Sequence, residues 1–408
     1  MARALRLAAR PQGATHPNPM VGAVVLSSHG ELAGEAYHRR PGEPHAEVLA
    51  LRAASGMARG GTLCVTLEPC NHHGRTPPCT EAILAAGVAR VVVGMRDPNP
   101  AVAGGGTERL RRAGVEVEVG LLEEQCRQLN EDWIVRVTLG RPYVALKAAV
   151  TLDGWLATSR GDARWISGEQ SRGQVMRLRS RADAVLVGTR TLLADDPRLT
   201  ARLRGARQPW RVALDPQLRC PVGAAILQPG GGPTLLFAAS GAAPERERAL
   251  RQAGAEIVHL PCTARGRLDL PAALAELARR EVVSLLVEGG GELHRELLEL
   301  ELVDRAYLFV APRIFGGVDG VPLAGRQPGA RRVAEGWVLS GVRWRCFGED
   351  ALVSGVPVRR GGGGEGGVPD PGRSPQEGKR VDSDGGQIGD PGVAAEQSPR
   401  SGQGGRYS

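Results

Sequence analysis

Three side chains in the first quarter of the chain have the types and spacing of a catalytic metal site, and a fourth lies beside them. The three are His45, Cys70 and Cys79, and Glu47 follows His45 by two residues. One imidazole and two thiolates suit tetrahedral zinc and leave the fourth coordination position open for water. Zinc lowers the pKa of such a water, and a neighbouring carboxylate can carry its protons. The pattern predicts hydrolysis at zinc, with Glu47 as the proton carrier.

The residues around the cysteines favour one class of hydrolysis. An H-x-E followed by P-C and a further cysteine is the signature of zinc deaminases, and here Pro69 precedes Cys70. The usual spacing is C-x-x-C, whereas eight residues separate Cys70 from Cys79, so a loop must lie beside the metal. His72 and His73 in this loop are rival ligands, and either one would close the shell of a purely structural site. Two buried spectator cysteines are the other alternative.

Apolar periodicity predicts the elements that would position these ligands. A helix beginning at His45 would carry His45 and Glu47 on its first turn, a strand over 62–67 would deliver the first cysteine, and a helix over 80–86 would follow the second. With the remaining elements these predict a three-layer α/β domain over residues 1–140. The remaining elements are a helix at 1–10, strands at 21–26, 31–37, 90–94 and 115–119, a helix at 106–113 and one helical stretch at 121–139.

Two proline-rich segments are candidate walls of this site. Asn18, between Pro17 and Pro19, either hydrogen-bonds the edge of a substrate ring or is an ordinary turn residue. The Asp-Pro-Asn-Pro run at 97–100 follows a predicted strand and is a candidate substrate wall.

A second α/β domain is predicted over 141–358, after the helix-breaking run Gly140-Arg141-Pro142. Its first strand carries Lys147, one of two lysines in a chain that otherwise uses arginine. A lysine inside an apolar strand is costly unless it is paired or used, so Lys147 is a candidate catalytic ammonium. The alternative is a lysine at the strand end that extends to solvent.

A triple glycine follows the apolar strand predicted over 282–287. Gly289, Gly290 and Gly291 precede a predicted helix, and this arrangement lets the backbone approach a pyrophosphate at the helix N-terminus. The run is not the G-x-G-x-x-G fingerprint, and a tight connection without a ligand is the alternative. Glu288, at the carboxyl end of the strand, lies where ligands bind in open α/β sheets.

The amino-acid composition limits the classes of binding partner that we expect. The net charge is +8, but the basic residues are scattered and aromatic residues make up 3% of the chain, so stacking platforms for nucleic acid are scarce. We expect no nucleic-acid partner, no membrane span, a cytoplasmic location and a homo-oligomer. The first ten residues lack the apolar core of a signal peptide. Residues 359–408 are rich in Gly, Pro, Ser and charge, which predicts a disordered tail.

The residues resemble one family closely, the bifunctional riboflavin-biosynthesis deaminase–reductases, over 1–358. The resemblance implies an N-terminal domain like cytidine deaminase and a C-terminal domain like dihydrofolate reductase. The shared runs are His-Pro-Asn-Pro at 16–19, Pro-His-Ala-Glu at 44–47, the long zinc loop at 66–79, Asp-Pro-Asn-Pro at 97–100, Leu-Lys-Ala-Ala at 146–149, Ala-Asp-Asp-Pro at 194–197 and Val-Glu-Gly-Gly at 287–290.

The resemblance implies two reactions on one phosphorylated pyrimidine. The first is zinc-dependent hydrolysis of the 2-amino group of 2,5-diamino-6-ribosylamino-4(3H)-pyrimidinone 5′-phosphate. It implies zinc on His45, Cys70 and Cys79, with Glu47 moving the proton. The second is reduction of the ribosyl group to ribityl with NADPH, for which Lys147 would activate the ribosyl group.

The resemblance also implies which residues hold the ligands of the second domain. The NADPH contacts would be Ala149, Trp165, Thr191, Asp195, Gly290, Gly291, Glu292, Leu293, His294, Arg295 and Glu296, and the substrate contacts would be Ala163, Arg179, Leu199, Arg202 and Glu288. Ala163 stands where the family often has serine, so one hydrogen bond to substrate is expected to be missing. The family pattern also leads us to expect several residues before the opening helix.

Two other functions compete with this prediction. The second domain could have lost reduction or could reduce a related pyrimidine, although Lys147, Asp195 and Glu288 are intact. A zinc-dependent protein that binds or edits nucleic acid would use the same metal motif and the basic surface. Salt-sensitive binding to tRNA or single-stranded DNA would favour that alternative.

Overall fold

The strands of the described residues form two large sheets and one two-stranded ribbon. The structure, a computed structural model, describes residues 1–73, 77–100, 105–326 and 329–359. Apart from Arg359, the predicted disordered tail lies outside the described residues, as do residues 74–76 of the long zinc loop.

The first 140 residues alternate between helices and strands, as the sequence predicts. The strand order of their sheet is β2-β1-β3-β4-β5, antiparallel from β2 to β3 and parallel from β3 to β5. The elements are α1 (Ala2–Ala8), β1 (Gly22–Leu26), β2 (Leu32–Tyr37), α2 (Ala46–Ala54), β3 (Thr62–Leu67), α3 (Cys79–Ala86), β4 (Arg90–Met95), α4 (Gly106–Arg112), β5 (Glu116–Val119), α5 (Glu123–Leu129) and α6 (Glu131–Leu139).

Both faces of this sheet are covered, which confirms the predicted three-layer arrangement. Successive strand residues point to opposite faces. Val24 therefore packs with Ala4 and Leu7 of α1. Its neighbour Val25 packs with Ala50 of α2 in the larger core on the other side.

The helical stretch predicted over 121–139 is helical in the structure, but it consists of two helices, α5 and α6, that are separated at Asn130. The side chain of Asn130 is fully buried. Its Oδ1 accepts a hydrogen bond from the Met20 backbone N–H at 2.7 Å, and its Nδ2 donates to the Met20 carbonyl at 3.0 Å. These bonds to a distant segment satisfy the side-chain amide and fix the backbone where α5 ends and α6 begins. Local periodicity does not reveal this break between the helices.

The second sheet has nine strands in the order β11-β10-β9-β8-β12-β6-β13-β16-β15, parallel from β11 to β13 and antiparallel at the β16–β15 edge. Its elements, with the short β7–β14 ribbon, are β6 (Tyr143–Val150), β7 (Trp155–Ala157), α7 (Glu169–Arg181), β8 (Ala184–Gly188), α8 (Thr189–Asp195), β9 (Trp210–Leu214), β10 (Thr234–Ala239), α9 (Pro244–Gln252), β11 (Ala255–Leu260), α10 (Leu270–Arg279), β12 (Ser284–Val287), α11 (Gly291–Glu299), β13 (Arg305–Val310), β14 (Val321–Pro322), β15 (Trp337–Phe347) and β16 (Asp350–Arg359).

The two sheets belong to one unit of the chain, residues 1–362. Helix α6 joins them, since Arg136 donates to the Ala278 carbonyl at 3.1 Å and Glu131 forms a salt bridge with Arg305 at 2.8 Å. Among the described residues, no helix is both long and apolar enough to cross a bilayer.

Candidate functional site

The three predicted metal ligands meet at the ends of three elements of the first sheet. His45 is the residue before α2, Cys79 is the first residue of α3, and Cys70 follows β3 by three residues. Both helices therefore direct their N-termini, the positive ends of their dipoles, toward the same point. That arrangement favours thiolates over thiols.

The distances fit one zinc ion. The His45 Nδ1 lies 3.2 Å from the Cys79 Sγ and 3.6 Å from the Cys70 Sγ, and all three donor atoms lie within 4.8 Å of one another. Tetrahedral zinc with bonds of about 2.0–2.3 Å separates its ligand atoms by roughly 3.5–3.8 Å. The described donors therefore match a three-ligand zinc site.

The rival ligands of the loop lie elsewhere. Among the described residues, the group of donors that could share an ion contains His45, Cys70 and Cys79 but neither His72 nor His73. Both histidines are exposed, and His73 Nε2 faces Glu81 at 3.5 Å. The described geometry favours an open catalytic position over a closed structural site.

The electrostatics of Cys70 suit a metal ligand. Hydrogen bonding to the Cys79 thiol, opposed by burial and aided by His45, lowers the pKa of Cys70 to about 4. The backbone N–H of Cys79 also donates to the Cys70 Sγ at 3.3 Å. A thiolate is the form in which cysteine binds zinc.

We predict that Cys70→Ser abolishes stoichiometric zinc binding, because two donors and an alcohol hold zinc poorly. Zinc in the purified protein, measured by inductively coupled plasma mass spectrometry, should fall from about one equivalent per chain to near zero. Cys262→Ser is the matched control, since Cys262 is an exposed free cysteine just after β11 of the other sheet, and its substitution should leave the zinc content unchanged. A full equivalent of zinc in Cys70→Ser would contradict this ligand set.

Glu47 is the buried carboxylate beside the cluster. It lies in the first turn of α2, its exposed fraction is 3%, and it borders the same cavity as His45 and Cys70. Burial raises the pKa of Glu47, and its carboxylate is within hydrogen-bonding reach of the Cys79 thiol. The predicted proton carrier thus faces the space in front of the metal ligands.

A cavity of about 410 Å³ opens onto this cluster. Both proline-rich segments singled out in the sequence border it. Asn18 lies in its wall with its Nδ2 3.1 Å from the His38 Nε2, and Asp97 and Asn99 lie there too. The cavity is large enough for a pyrimidine ring with a sugar substituent. Other residues of its wall are Pro17, Pro19, Val21, Gly42, Glu43, Leu67, Glu68, His72, Trp133 and Val137.

Sequence reasoning missed the support beneath Cys70. Buried Glu68 accepts hydrogen bonds from the Thr107 backbone N–H at 3.0 Å, the Thr107 hydroxyl at 2.9 Å and the Asp97 backbone N–H at 3.2 Å. A Cβ at Gly106 would come within 2.0 Å of the Pro69 carbonyl oxygen, so only glycine fits there. These contacts fix the Glu-Pro-Cys turn. The position of Glu68 next to Pro69 was the available signal.

A second cluster of charged side chains lies on the larger sheet, around Lys147 of β6. Neighbouring β12 ends one residue before Glu288, whose carboxylate forms a two-bond ion pair with Arg179 of α7 at 2.6 and 2.8 Å. The Arg179 pair lowers the pKa of Glu288 against the opposing effect of burial. Lys147 is half-buried, and burial lowers its pKa, while Glu288 and Asp195 act in the opposite direction. A compact ammonium held among carboxylates is suited to proton donation.

The glycine turn lies at the start of α11, beside α8. A Cβ at Gly290 would stand 3.6 Å from the Thr191 Oγ1, whereas a Cβ at Gly291 would come within 2.1 Å of the Pro322 carbonyl oxygen. The turn thus packs closely against β14 on one side. Its other side faces α8, the helix of Thr191 and Asp195.

The remaining predicted cofactor contacts differ in burial and in the ion pairs that their side chains form. Glu292 and Glu296 form ion pairs with Arg267 at 3.0 and 3.1 Å, and Arg295 pairs with Glu299 at 2.7 Å. A ligand at this turn would therefore meet backbone N–H groups before these side chains. Among the others, Leu293 and His294 are buried, Ala149 of β6 is half-buried, and Trp165 is exposed with the Arg172 guanidinium 4.8 Å from its ring centre.

The predicted substrate contacts also differ in how accessible their side chains are to a ligand. Arg179, besides its ion pair, donates to the Thr200 carbonyl at 3.1 Å. Leu199 is 1% exposed and packs in the hydrophobic core, so a ligand could reach its backbone only. Arg202 is exposed and forms no ion pair with any described residue, and Ala163 is half-buried in the loop before Trp165. Arg202 is the available partner for a phosphate.

Comparison with known families matches both halves of the chain. Residues 1–95 match the model of the cytidine and deoxycytidylate deaminase zinc-binding region. Residues 142–352 match the model of the RibD C-terminal domain. The zinc cluster lies within the first match, and Lys147 and Glu288 lie within the second.

Curated relatives cover most of the chain. The riboflavin biosynthesis protein RibD of Aquifex aeolicus is 43% identical over 356 residues, which are 86% of this chain and 96% of the relative. RibD of Escherichia coli is 44% identical over 334 residues, 78% of this chain and 88% of the relative.

Solved structures share the fold of both halves. One is a diaminohydroxyphosphoribosylaminopyrimidine deaminase/5-amino-6-(5-phosphoribosylamino)uracil reductase from Thermotoga maritima. It is 37% identical with a TM-score of 0.76, and the match covers 88% of this chain and 97% of that one. Another is RibD of Acinetobacter baumannii, which is 34% identical with a TM-score of 0.77. That match covers 88% of this chain and 98% of the Acinetobacter chain.

Proposed function

Because the chain belongs to the RibD family of bifunctional riboflavin-biosynthesis enzymes, we propose that its zinc cluster and its Lys147 cluster carry out the two reactions of that family. The observation that carries this assignment is the three-donor cluster with Glu47 facing the same cavity. Zinc and NADPH are the cofactors.

The chain is a deaminase and a reductase acting on one intermediate. It hydrolyses the 2-amino group of 2,5-diamino-6-ribosylamino-4(3H)-pyrimidinone 5′-phosphate. It then reduces the ribosyl side chain with NADPH, which gives 5-amino-6-ribitylaminouracil 5′-phosphate.

In the deaminase site, His45, Cys70 and Cys79 would hold zinc, which supplies a water of lowered pKa. Glu47 would carry a proton between that water and the nitrogen that leaves as ammonia. Asn18 and Asn99, in the cavity wall, are placed to hydrogen-bond the ring.

In the reductase site, NADPH supplies the hydride. The Lys147 ammonium donates a hydrogen bond to the ribosyl oxygen as the sugar ring opens, and the charges of Glu288 and Asp195 favour its charged form against the effect of burial. Glu288 in turn is held by Arg179. Lys147, Glu288 and Arg179 therefore each have a separate task in the reduction.

The cofactor binds along the carboxyl edge of the larger sheet. The backbone N–H groups of Gly290, Gly291 and Glu292, at the N-terminus of α11, take the pyrophosphate, and the other predicted contacts, 293–296, follow on the first turns of that helix. Other contacts come from Ala149, Trp165, Thr191 and Asp195. Arg202 binds the substrate phosphate, with Arg179, Glu288, Ala163 and the Leu199 backbone around the rest of the molecule.

We assign residues 1–140 to the deaminase domain and 141–358 to the reductase domain, and we place the enzyme in the cytoplasm. A homo-oligomer is also proposed. Strand β15 lies at the edge of the nine-stranded sheet and exposes 69% of Trp344 and 41% of Val342. An exposed edge strand with large apolar side chains is a surface that a second copy can cover.

Substrate conversion tests the proposed function. The purified zinc-loaded protein, given the diaminopyrimidinone phosphate alone, should release ammonia and accumulate the deaminated ribosyl compound. Addition of NADPH should convert that compound to the ribityl product, followed by mass spectrometry and by loss of absorbance at 340 nm. Release of ammonia without NADPH oxidation would show that the second domain has lost reduction or has turned to another substrate.

A further inference from the structure

His16 connects the two sheets through two carboxylates. Its side chain is 4% exposed, its Nδ1 lies 2.8 Å from the Asp183 Oδ2, and its Nε2 lies 3.0 Å from the Asp132 Oδ2. Asp132 belongs to α6 beside the first sheet, whereas Asp183 lies just before β8 of the second. Because 167 residues separate His16 from Asp183, this bridge exists only in the folded chain.

The geometry requires a charged imidazole. Each ring nitrogen faces a carboxylate oxygen, which accepts but cannot donate, so the form with two N–H groups satisfies both contacts. Burial lowers the pKa of His16, but the hydrogen bonds and charges of Asp132 and Asp183 overcome it and raise the pKa to about 10. At neutral pH this histidine is a buried cation held by two anions.

Asp183 is fixed firmly on the reductase side. Its Oδ2 accepts hydrogen bonds from the backbone N–H groups of Val283 and Ser284, both at 2.9 Å, and its Oδ1 pairs with Arg207 at 2.6 Å. Ser284 begins β12, the strand that ends just before Glu288. His16 is therefore tied to a central strand of the larger sheet.

On the other side, His16 directly precedes the wall of the zinc cavity. Pro17, Asn18 and Pro19 all border that cavity. Beyond them, the Met20 backbone donates one hydrogen bond to the Asn130 side chain and accepts another from it. The wall segment is thus fixed at both ends, at Met20 within the deaminase half and at His16 by a bridge to the reductase half.

We propose that His16 is a positioning residue for deamination, which holds the 17–19 wall of the zinc cavity by means of a carboxylate of the reductase half. Substrate affinity at the zinc site then depends on a contact made across the two halves. This proposal rests on the deaminase function assigned above. The described side-chain partners of His16 are Asp132 and Asp183, which are neither metal ligands nor the proton carrier.

The test compares His16→Gln with His29→Gln, a matched control at an exposed turn of the same half. For His16→Gln we expect the KM for deamination to rise about tenfold while kcat stays within about twofold, because the wall loses its place but the chemistry does not. Zinc content and the kinetics of NADPH oxidation with the deaminated compound should match the unmutated protein. His29→Gln should behave as unmutated in every measurement.

Asp132→Asn is a second variant that removes one carboxylate at a partly exposed position of α6. It should raise the same KM by about threefold without changing the reductase kinetics. An unchanged deamination KM in His16→Gln, or a parallel fall of both activities, would overturn the proposal and leave a purely structural bridge. Absence of deamination in the unmutated zinc-loaded protein would instead count against the assigned function.

A pH series tests the charged state of the bridge. The charged groups facing His16 are Asp132 from α6 and Asp183 from the turn before β8, with Arg207 behind Asp183. Since folding raises the pKa of His16 from 6.5 to about 10, its stabilisation is complete below pH 6.5 and is lost as pH rises toward 10. The difference in Tm between unmutated protein and His16→Gln should shrink over that range. A constant difference would contradict a buried cation, and the proposal with it.

Discussion

Glu47→Gln is expected to lower kcat for deamination by a factor of about 10²–10⁴, the usual contribution of a positioned general acid–base group. Glutamine keeps the size of the side chain and its ability to hydrogen-bond, but it cannot take a proton from water and pass it to the departing nitrogen. The site around it should survive, because none of the three zinc donors is changed. The measurement is ammonia release under saturating substrate, with zinc content determined on the same sample.

Two controls separate this effect from damage to the fold. Glu31→Gln makes the same chemical change at an exposed position next to β2 and should leave deamination unchanged. The reductase half of the Glu47→Gln protein should oxidise NADPH with the deaminated compound at the normal rate. Deamination within threefold of the unmutated rate would exclude Glu47 as the proton carrier.

Lys147→Met is expected to lower the rate of NADPH oxidation by about 10²-fold or more and to leave deamination intact. Methionine fills a similar volume in β6 but removes the ammonium, whose charge interacts with Glu288 and Asp195. Lys147→Arg should recover only part of the rate, because a planar guanidinium cannot occupy the place of a compact ammonium. Initial rates at 340 nm with purified deaminated substrate provide the measurement.

Arg177→Met is the matched control for the loss of a cation, since Arg177 is an exposed residue of α7 on the same half. It should not change either activity. Dissociation constants for NADPH, measured by fluorescence titration, should be similar in Lys147→Met and the unmutated protein. A reductase rate in Lys147→Met within threefold of normal would contradict the assigned role.

The local elements could be predicted where sequence patterns are strong. Strand β3 has the bounds expected from periodicity, 62–67. It follows Gly61 and ends two residues before Pro69, and its apolar pattern is uninterrupted. The helical stretch predicted over 121–139 is divided at Asn130, because the hydrogen-bond partner of that amide is Met20, more than a hundred residues away in the chain.

The secondary structure of residues 201–281 was not predicted from the sequence. This region contains β9, β10, β11, α9 and α10. Parallel strands are paired with segments far away in the chain, and Arg202 is the one residue of this region with a predicted chemical role. Their register exists only once the sheet is assembled.

The sequence by itself determined which chemistry the chain performs. Ligand type is a property of each side chain, and His45, Glu47, Cys70 and Cys79 lie close enough in the chain for two helices, one strand and one loop to bring them together. The resemblance extended this to the second reaction. Residue types and local spacing were sufficient there because the zinc site is built from consecutive elements.

Only the tertiary structure decided how the distant groups meet. Lys147 lies on β6, Arg179 on α7 and Glu288 just after β12. They meet because β12 pairs with β6 so that Val287 lies opposite Leu146, and because α7 brings Arg179 to the carboxylate of Glu288. The bridge from Asp132 through His16 to Asp183 likewise has no sequence signal. Burial and proximity turn ordinary residues into a buried cation between two anions, and both are properties of the folded chain alone.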